Sequence, residues 1–182
     1  MRKIISLFQR NYDTDRLVRN EVVPGAEWVV NGEGVATRKW DGTCCMIRDG
    51  KYYKRYEVKK GKTPPKNFEP ANDIDDNTGK QQGWVPVGDG PEDKWHREAY
   101  HHDPPDGMYE LCGPKVQGNP EKLLVHHLIK HGTDIEEHAP RDFDGLIKFF
   151  QIHDIEGIVW HHPDGRMVKI KAKDFGIKRI SS

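Results

Sequence analysis

Lys39-Trp40-Asp41-Gly42 is the stretch on which the reading of this chain turns, and its flanks give it a setting. Glu27 to Val30 and Gly34 to Arg38 before it, and Thr43 to Arg48 and Tyr52 to Val58 after it, read as short strands. Asp49-Gly50 between the last two is a two-residue hairpin signal, because both residues tolerate positive φ. Lys39 therefore falls at a strand end, beside a tight turn made by Asp41-Gly42. A glycine there lets backbone come close to a ligand.

Three more charged segments follow in order, each on an apolar run that reads as a strand: Tyr109-Glu110-Leu111, Glu156-Gly157-Ile158-Val159 and Val168-Lys169-Ile170-Lys171. Glu156 to His161 and Arg166 to Lys171, joined by Pro163-Asp164-Gly165, form a hairpin pattern, and Met108 to Cys112 reads as a strand. In Arg141 to His153, Phe143, Leu146, Ile147 and Phe150 recur at i, i+3, i+4 and i+7, which predicts a helix with one apolar face. Pro120 to His131 suits either a helix closed by Gly132 or a strand over Leu123 to Ile129. Residues 61–107 are rich in Pro, Gly, Asp and Asn and read as a long excursion. Pro91 to Tyr100 within it suits a short helix with Pro91 in the first turn, and Trp84, Val85, Val87 and Trp95 are candidates to pin it down.

A chain of 182 residues, 32% of them charged, is expected to form a single domain over 1–182 with a real core. With 29 basic and 29 acidic residues the net charge is zero, so the whole molecule gives no sign of a polyanionic partner. Local basic runs stand out instead: Lys51, Lys54, Arg55, Lys59, Lys60 and Lys62, then Lys169, Lys171, Lys173, Lys178 and Arg179. Three cysteines, Cys44, Cys45 and Cys112, make neither a disulfide framework nor a zinc ribbon, which points to a reducing compartment. Met1-Arg2-Lys3 precedes too short an apolar run for a signal peptide, and nothing is long enough to span a membrane as a helix. A soluble, cytoplasmic protein is expected.

Lys169 and Lys171, two apart on a strand, project from one face while Ile170 points into the core. An isolated Lys-x-Lys is ordinarily the exposed edge of a hairpin, but two adjacent cations also suit a phosphate. A lysine is a poor nucleophile at neutral pH because its free pKa is about 10.4, and nearby cations favour its neutral form. Lys39 facing Lys169 and Lys171 would thus be primed to attack phosphorus. Glu110 and Glu156 supply a carboxylate acceptor for a ribose hydroxyl and an oxygen ligand for Mg²⁺. The histidine pairs His101-His102, His126-His127 and His161-His162, with His131 and His153, lack zinc-site spacing, and Cys44-Cys45 reads as packing.

The ordered set resembles the covalent nucleotidyltransferase superfamily of polynucleotide ligases and messenger RNA capping enzymes. Lys39-Trp40-Asp41-Gly42 is similar to its first motif, Tyr109-Glu110-Leu111-Cys112-Gly113 to the third, Glu156-Gly157-Ile158-Val159 to the fourth and Lys169-Ile170-Lys171 to the fifth. The fuller strings Ala36 to Cys45 and Leu111 to Pro120 resemble a small group of ATP-dependent RNA ligases. The resemblance, from about Gly25 to Phe175, implies an α+β, ATP-grasp-like nucleotidyltransferase domain: antiparallel sheets flanked by helices, with a nucleotide cleft between them. It implies ATP and Mg²⁺, and RNA with 5′-phosphate and 3′-hydroxyl ends as partner. Lys39 is the residue adenylylated, Asp41 orients it, and Lys169 and Lys171 hold the α-phosphate. Arg38, Arg55, Glu110 and Glu156 complete the nucleotide site, with Glu156 at the metal. The family also places a strand at Leu123 to Ile129, with His126 packed on the adenine. Cys44 stands where DNA ligases carry an arginine, which favours RNA, and the chain ends eleven residues past Lys171, so no appended domain is expected. A GTP-using capping guanylyltransferase and a non-catalytic RNA-binding module of the same fold are the alternatives, separable by which nucleotide, if any, labels the protein.

Overall fold

A computed structural model describes residues 4–180; Met1-Arg2-Lys3, on which the amino-terminal reading partly rests, lies outside them. The fold is α+β, with mostly antiparallel sheets and few helices. It divides into two compact units, a terminal unit of residues 4–41 and 132–180 and a central unit of residues 42–131.

The terminal unit carries β1 (Ile5–Ser6), β2 (Phe8–Arg10), β3 (Val18–Val22), α1 (Glu27–Val30) and β4 (Val35–Lys39) from its first segment. The central unit contributes β5 (Thr43–Arg48), β6 (Lys51–Val58), β7 (Glu69–Pro70), β8 (Gln81–Pro86), α2 (Lys94–Glu98), β9 (Gly107–Cys112) and β10 (His127–Lys130). The second terminal segment supplies α3 (Phe143–Ile152), β11 (Gly157–His161) and β12 (Met167–Lys171).

In the terminal unit four strands run in the order β1-β12-β11-β4, with β1 parallel to β12 and the other pairs antiparallel. Alternation along the β11/β12 hairpin sends Ile158, Trp160, Val168 and Ile170 to one side, where all four are fully buried. They pack in one apolar cluster with Leu146, Phe149 and Phe150 of α3 and with Leu7, Phe8, Trp28 and Val29. Asp142 starts α3 by accepting the Gly145 N–H at 2.9 Å, which satisfies one of the helix's orphan donors. Glu27 to Val30, expected as a strand, is a helical turn. Pro24-Gly25 and Asn31-Gly32 box these four residues between two turns, and the helical turn buries both Trp28 and Val29.

The central unit is one six-stranded antiparallel sheet in the order β10-β9-β5-β6-β8-β7. Asp49 and Gly50 close the β5/β6 hairpin with φ of 53° and 72°, a turn whose twist matches its strands, and the Asp106 carboxylate accepts both their N–H groups. Residues 61–107 are tied down at several points. β8 pairs with β6 and buries Trp84, while a helical segment starting at Pro91 ends in α2. Asp93 is 2% exposed and pairs with the Lys54 ammonium. Burial alone would raise its carboxyl pKa, but the bonds from Lys54 and the Gly88 N–H hold it below the usual range. Of the expected Leu123 to Ile129 strand only residues 127–129 are extended, within β10 (His127–Lys130). Asn119 bonds both the N–H and the carbonyl of Leu123 and diverts the chain, leaving Leu124 94% exposed.

Candidate active site

The polar face of the terminal sheet is the side opposite Ile158 and Ile170. On it, Gly157 pairs with Lys39 of β4 on one side and with Lys171 of β12 on the other, so the three form one row. Paired residues share a face, so two strand spacings, about 10 Å, separate the Cα atoms of the two lysines. Val159 forms the next row, between Lys169 and Thr37. A Cβ on Gly157 would lie 2.3 Å from the Ile170 carbonyl, so the row between the lysines carries no side chain. Glu156, one residue before β11, reaches Lys39 with Oε2 at 3.0 Å from Nζ; the two side chains are 19% and 25% exposed.

The strand end that presents Lys171 is anchored from below. Asp174, 2% exposed, accepts the Lys171 N–H at 2.8 Å and the Arg10 guanidinium at 2.6 Å. Arg38 lays its guanidinium over the Trp40 ring, 3.7 Å from the centroid. Asp41 Oδ2 stands 3.9 Å from Arg179 Nη1, and Arg179 Nε bonds Asp154 at 2.9 Å. The second basic run is thus no single surface. Lys171 faces the row, whereas Arg179 is held by two carboxylates.

Arg55, Glu110 and His126 belong to the central unit. Cys45 pairs with Lys54 and Cys44 with Glu110, so alternation puts Cys44, Arg55 and Glu110 on one face of the sheet while Cys45, Ile47, Tyr109 and Leu111 fill the core on the other. Arg55 stacks on Trp84 at 4.5 Å, with Nη1 buried and without a hydrogen bond. Glu110 Oε2 lies 2.8 Å from His131 Nε2. His126, 3% exposed, stacks on Trp95 at 4.6 Å; its Nε2 accepts the Lys115 N–H, which leaves Nδ1 to donate to Glu98. That bond holds the Glu98 carboxyl below its ordinary range. Gly42, read as a point of ligand approach, has its Cα against the Leu111 carbonyl, where a Cβ would sit at 2.1 Å.

Residues 102–181 match the family model described as RNA ligase 1. RNA ligase 1 of Mus musculus is 26% identical over 219 aligned positions, covering 79% of this chain and 67% of that protein. RNA ligase 1 of Danio rerio is 37% identical over 78 residues, which is 38% of this chain and 24% of that protein. These likenesses support an RNA ligase family. The segment that matches the RNA ligase 1 model contains Glu110, His126, Glu156, Lys169 and Lys171, while Arg38, Lys39, Asp41 and Arg55 precede it. Among the described residues no helix is long and apolar enough to cross a membrane.

Sequence reading had grouped Lys39, Glu156, Lys169 and Lys171; the register brings the three lysines to one face of one sheet, and the Glu156 side chain meets Lys39. It missed the Arg10–Asp174 anchor, for which the separation of 164 residues leaves no local signal. It also missed that Cys44 and His131 converge on Glu110. Cys44 is two residues past Gly42, and His131 directly follows β10, but only strand pairing joins them.

Proposed function

We propose that this chain is an ATP-dependent RNA ligase, a nucleotidyltransferase domain with an ATP-grasp-like fold that joins RNA 5′-phosphate and 3′-hydroxyl ends through a lysyl-AMP intermediate on Lys39. The observation that carries the reading is the row Lys39-Gly157-Lys171, with Lys169 on the same face and Glu156 3.0 Å from the Lys39 ammonium. Three cations on one sheet face repel one another unless an anion lies over them, and a polyphosphate fits that need.

In the first step Lys39 gives up a proton to solvent, its neutral amine attacks the ATP α-phosphorus, a P–N bond forms, pyrophosphate leaves and the adduct nitrogen sheds a second proton. An oxygen of the RNA 5′-phosphate then attacks the same phosphorus and Lys39 departs. Finally a 3′-hydroxyl attacks the activated 5′-phosphate, loses its proton and expels AMP. Lys169 and Lys171 balance the charge that grows on the phosphoryl oxygens, and Asp41 orients Lys39. Arg38, Arg55 and Glu110 bind the nucleoside and neighbouring groups, and His126, held by Trp95, belongs on the adenine side. Mg²⁺ is commonly held by one or two carboxylates plus phosphate oxygens, and Glu156 beside the lysine row offers such a carboxylate. Bound there, the ion would offset phosphate charge. A role in RNA repair in the cytoplasm belongs to the same proposal.

Incubation with α-labelled ATP and, separately, α-labelled GTP tests the reading, followed by a chase with 5′-phosphorylated RNA or DNA. The expected result is a covalent adduct from ATP, stable to alkali and cleaved by acid as a P–N bond is, that RNA discharges. Labelling by GTP alone would make the chain a guanylyltransferase. An absence of any adduct, with salt-sensitive RNA binding, would make it a non-catalytic module.

A further inference from the structure

On the polar face of the central sheet, strands β5 and β9 and the residue just past β10 bring together three side chains of different chemistry. Cys44 and Glu110 are directly paired, and the N–H of His131 bonds the Met108 carbonyl, which sets its ring diagonally from Glu110. The sulfur, a carboxylate oxygen and an imidazole nitrogen lie within 4.8 Å of one another, and all three residues are half-buried. We propose that Cys44, Glu110 and His131 bind a zinc-class transition metal ion.

The chemistry of the set argues for that class. A thiolate and an imidazole suit zinc and its neighbours and suit Mg²⁺ poorly, since Mg²⁺ demands oxygen ligands. Tetrahedral zinc, with bonds of roughly 2.0–2.3 Å, spaces its ligand atoms roughly 3.3–3.7 Å apart, so side-chain adjustments of about 1 Å would bring these three to it. Three protein ligands leave a fourth position for water, as in open zinc sites. The other two cysteines do not compete, because Cys45 and Cys112 are fully buried. The site lies outside the expected zinc spacings because its ligands come from three chain segments. The ion would also occupy the Glu110 carboxylate; if Glu110 binds ribose as proposed above, zinc then competes with nucleotide.

The test is a titration of the reduced, metal-free full chain with Co²⁺, followed by Zn²⁺. The expected result is a thiolate-to-cobalt charge-transfer band with tetrahedral d–d bands, displaced by stoichiometric Zn²⁺ and untouched by excess Mg²⁺. Cys44→Ser abolishes the charge-transfer band, and His131→Gln weakens Zn²⁺ binding by more than the roughly 10–100-fold that loss of an outer-shell partner costs. Cys112→Ala leaves both unchanged. A wild-type protein without the charge-transfer band, a band that survives Cys44→Ser, or full affinity in His131→Gln overturns the proposal. Adventitious binding to surface histidines would give no thiolate band. These readouts need no ligase activity, so failure of ATP labelling would count against the ligase reading alone. Zinc inhibition of labelling in the wild type but not in Cys44→Ser would join the two.

Discussion

The four-stranded sheet of the terminal unit and the six-stranded sheet of the central unit are built alike, each with a sealed apolar face and a polar one, yet they gather opposite chemistry. The first collects Lys39, Lys169 and Lys171 against one carboxylate, Glu156. The second collects a carboxylate, an imidazole and a thiol, with Arg55 on the same face. Like charges on one sheet face repel unless anions offset them, which is why the lysine row suits the polyphosphate proposed above. The mixed set holds an internal pair, Glu110 with His131.

That contrast can be broken by substitution, and the largest effect should come from the lysine row. Lys171→Ala or Lys169→Ala is expected to slow adenylylation by about 10²–10³-fold, the cost of removing one preorganised charge-stabilising group, while the melting temperature stays near that of the wild type. Single-turnover labelling checks it, and an unchanged rate would detach these lysines from the chemistry.

Next in size is Asp93→Asn, which leaves the Lys54 ammonium, 20% exposed, without its carboxylate. A loss of about 3 kcal/mol is expected in denaturant unfolding, the low end for breaking a buried pair. The Asp93 carboxyl is held below its unfolded value, so its stabilisation is present above the unfolded pKa of about 3.9 and lost as pH falls through the folded one. The variant should flatten that acid-side slope, and an unaltered slope would contradict the pair's role.

Gly157→Ala should destabilise the terminal sheet by about 1–3 kcal/mol, because the added Cβ meets the Ile170 carbonyl at 2.3 Å. Thermal unfolding reads the effect. Arg55→Ala should have the smallest effect, weakening adenylylation or a later step; a total loss would move Arg55 into the group that touches the reacting phosphate.

Much of this architecture was legible from local pattern. The β5/β6 hairpin followed from Asp49-Gly50, the β11/β12 hairpin from Pro163-Asp164-Gly165, and α3 from its apolar spacing. Glu27 to Val30 misled because Trp28-Val29-Val30 is apolar enough for a strand, and only the flanking turns mark it as a short helical turn. The first strands, β1 to β3, carry little periodicity and are held by pairing with distant β12 and with each other. At the site, Lys169 and Lys171 share a face by spacing alone. That Lys39 stands across Gly157 from Lys171, or that His131 meets Glu110, depends on sheet order, which nothing local encodes.

The most direct measurement is mass-spectrometric mapping of the protein after incubation with ATP and Mg²⁺. We expect one AMP on the peptide that contains Lys39, alkali-stable, released by acid and absent from Lys39→Ala. An adduct on Lys169, Lys171 or any other residue, or an adduct that persists in Lys39→Ala, would contradict the account.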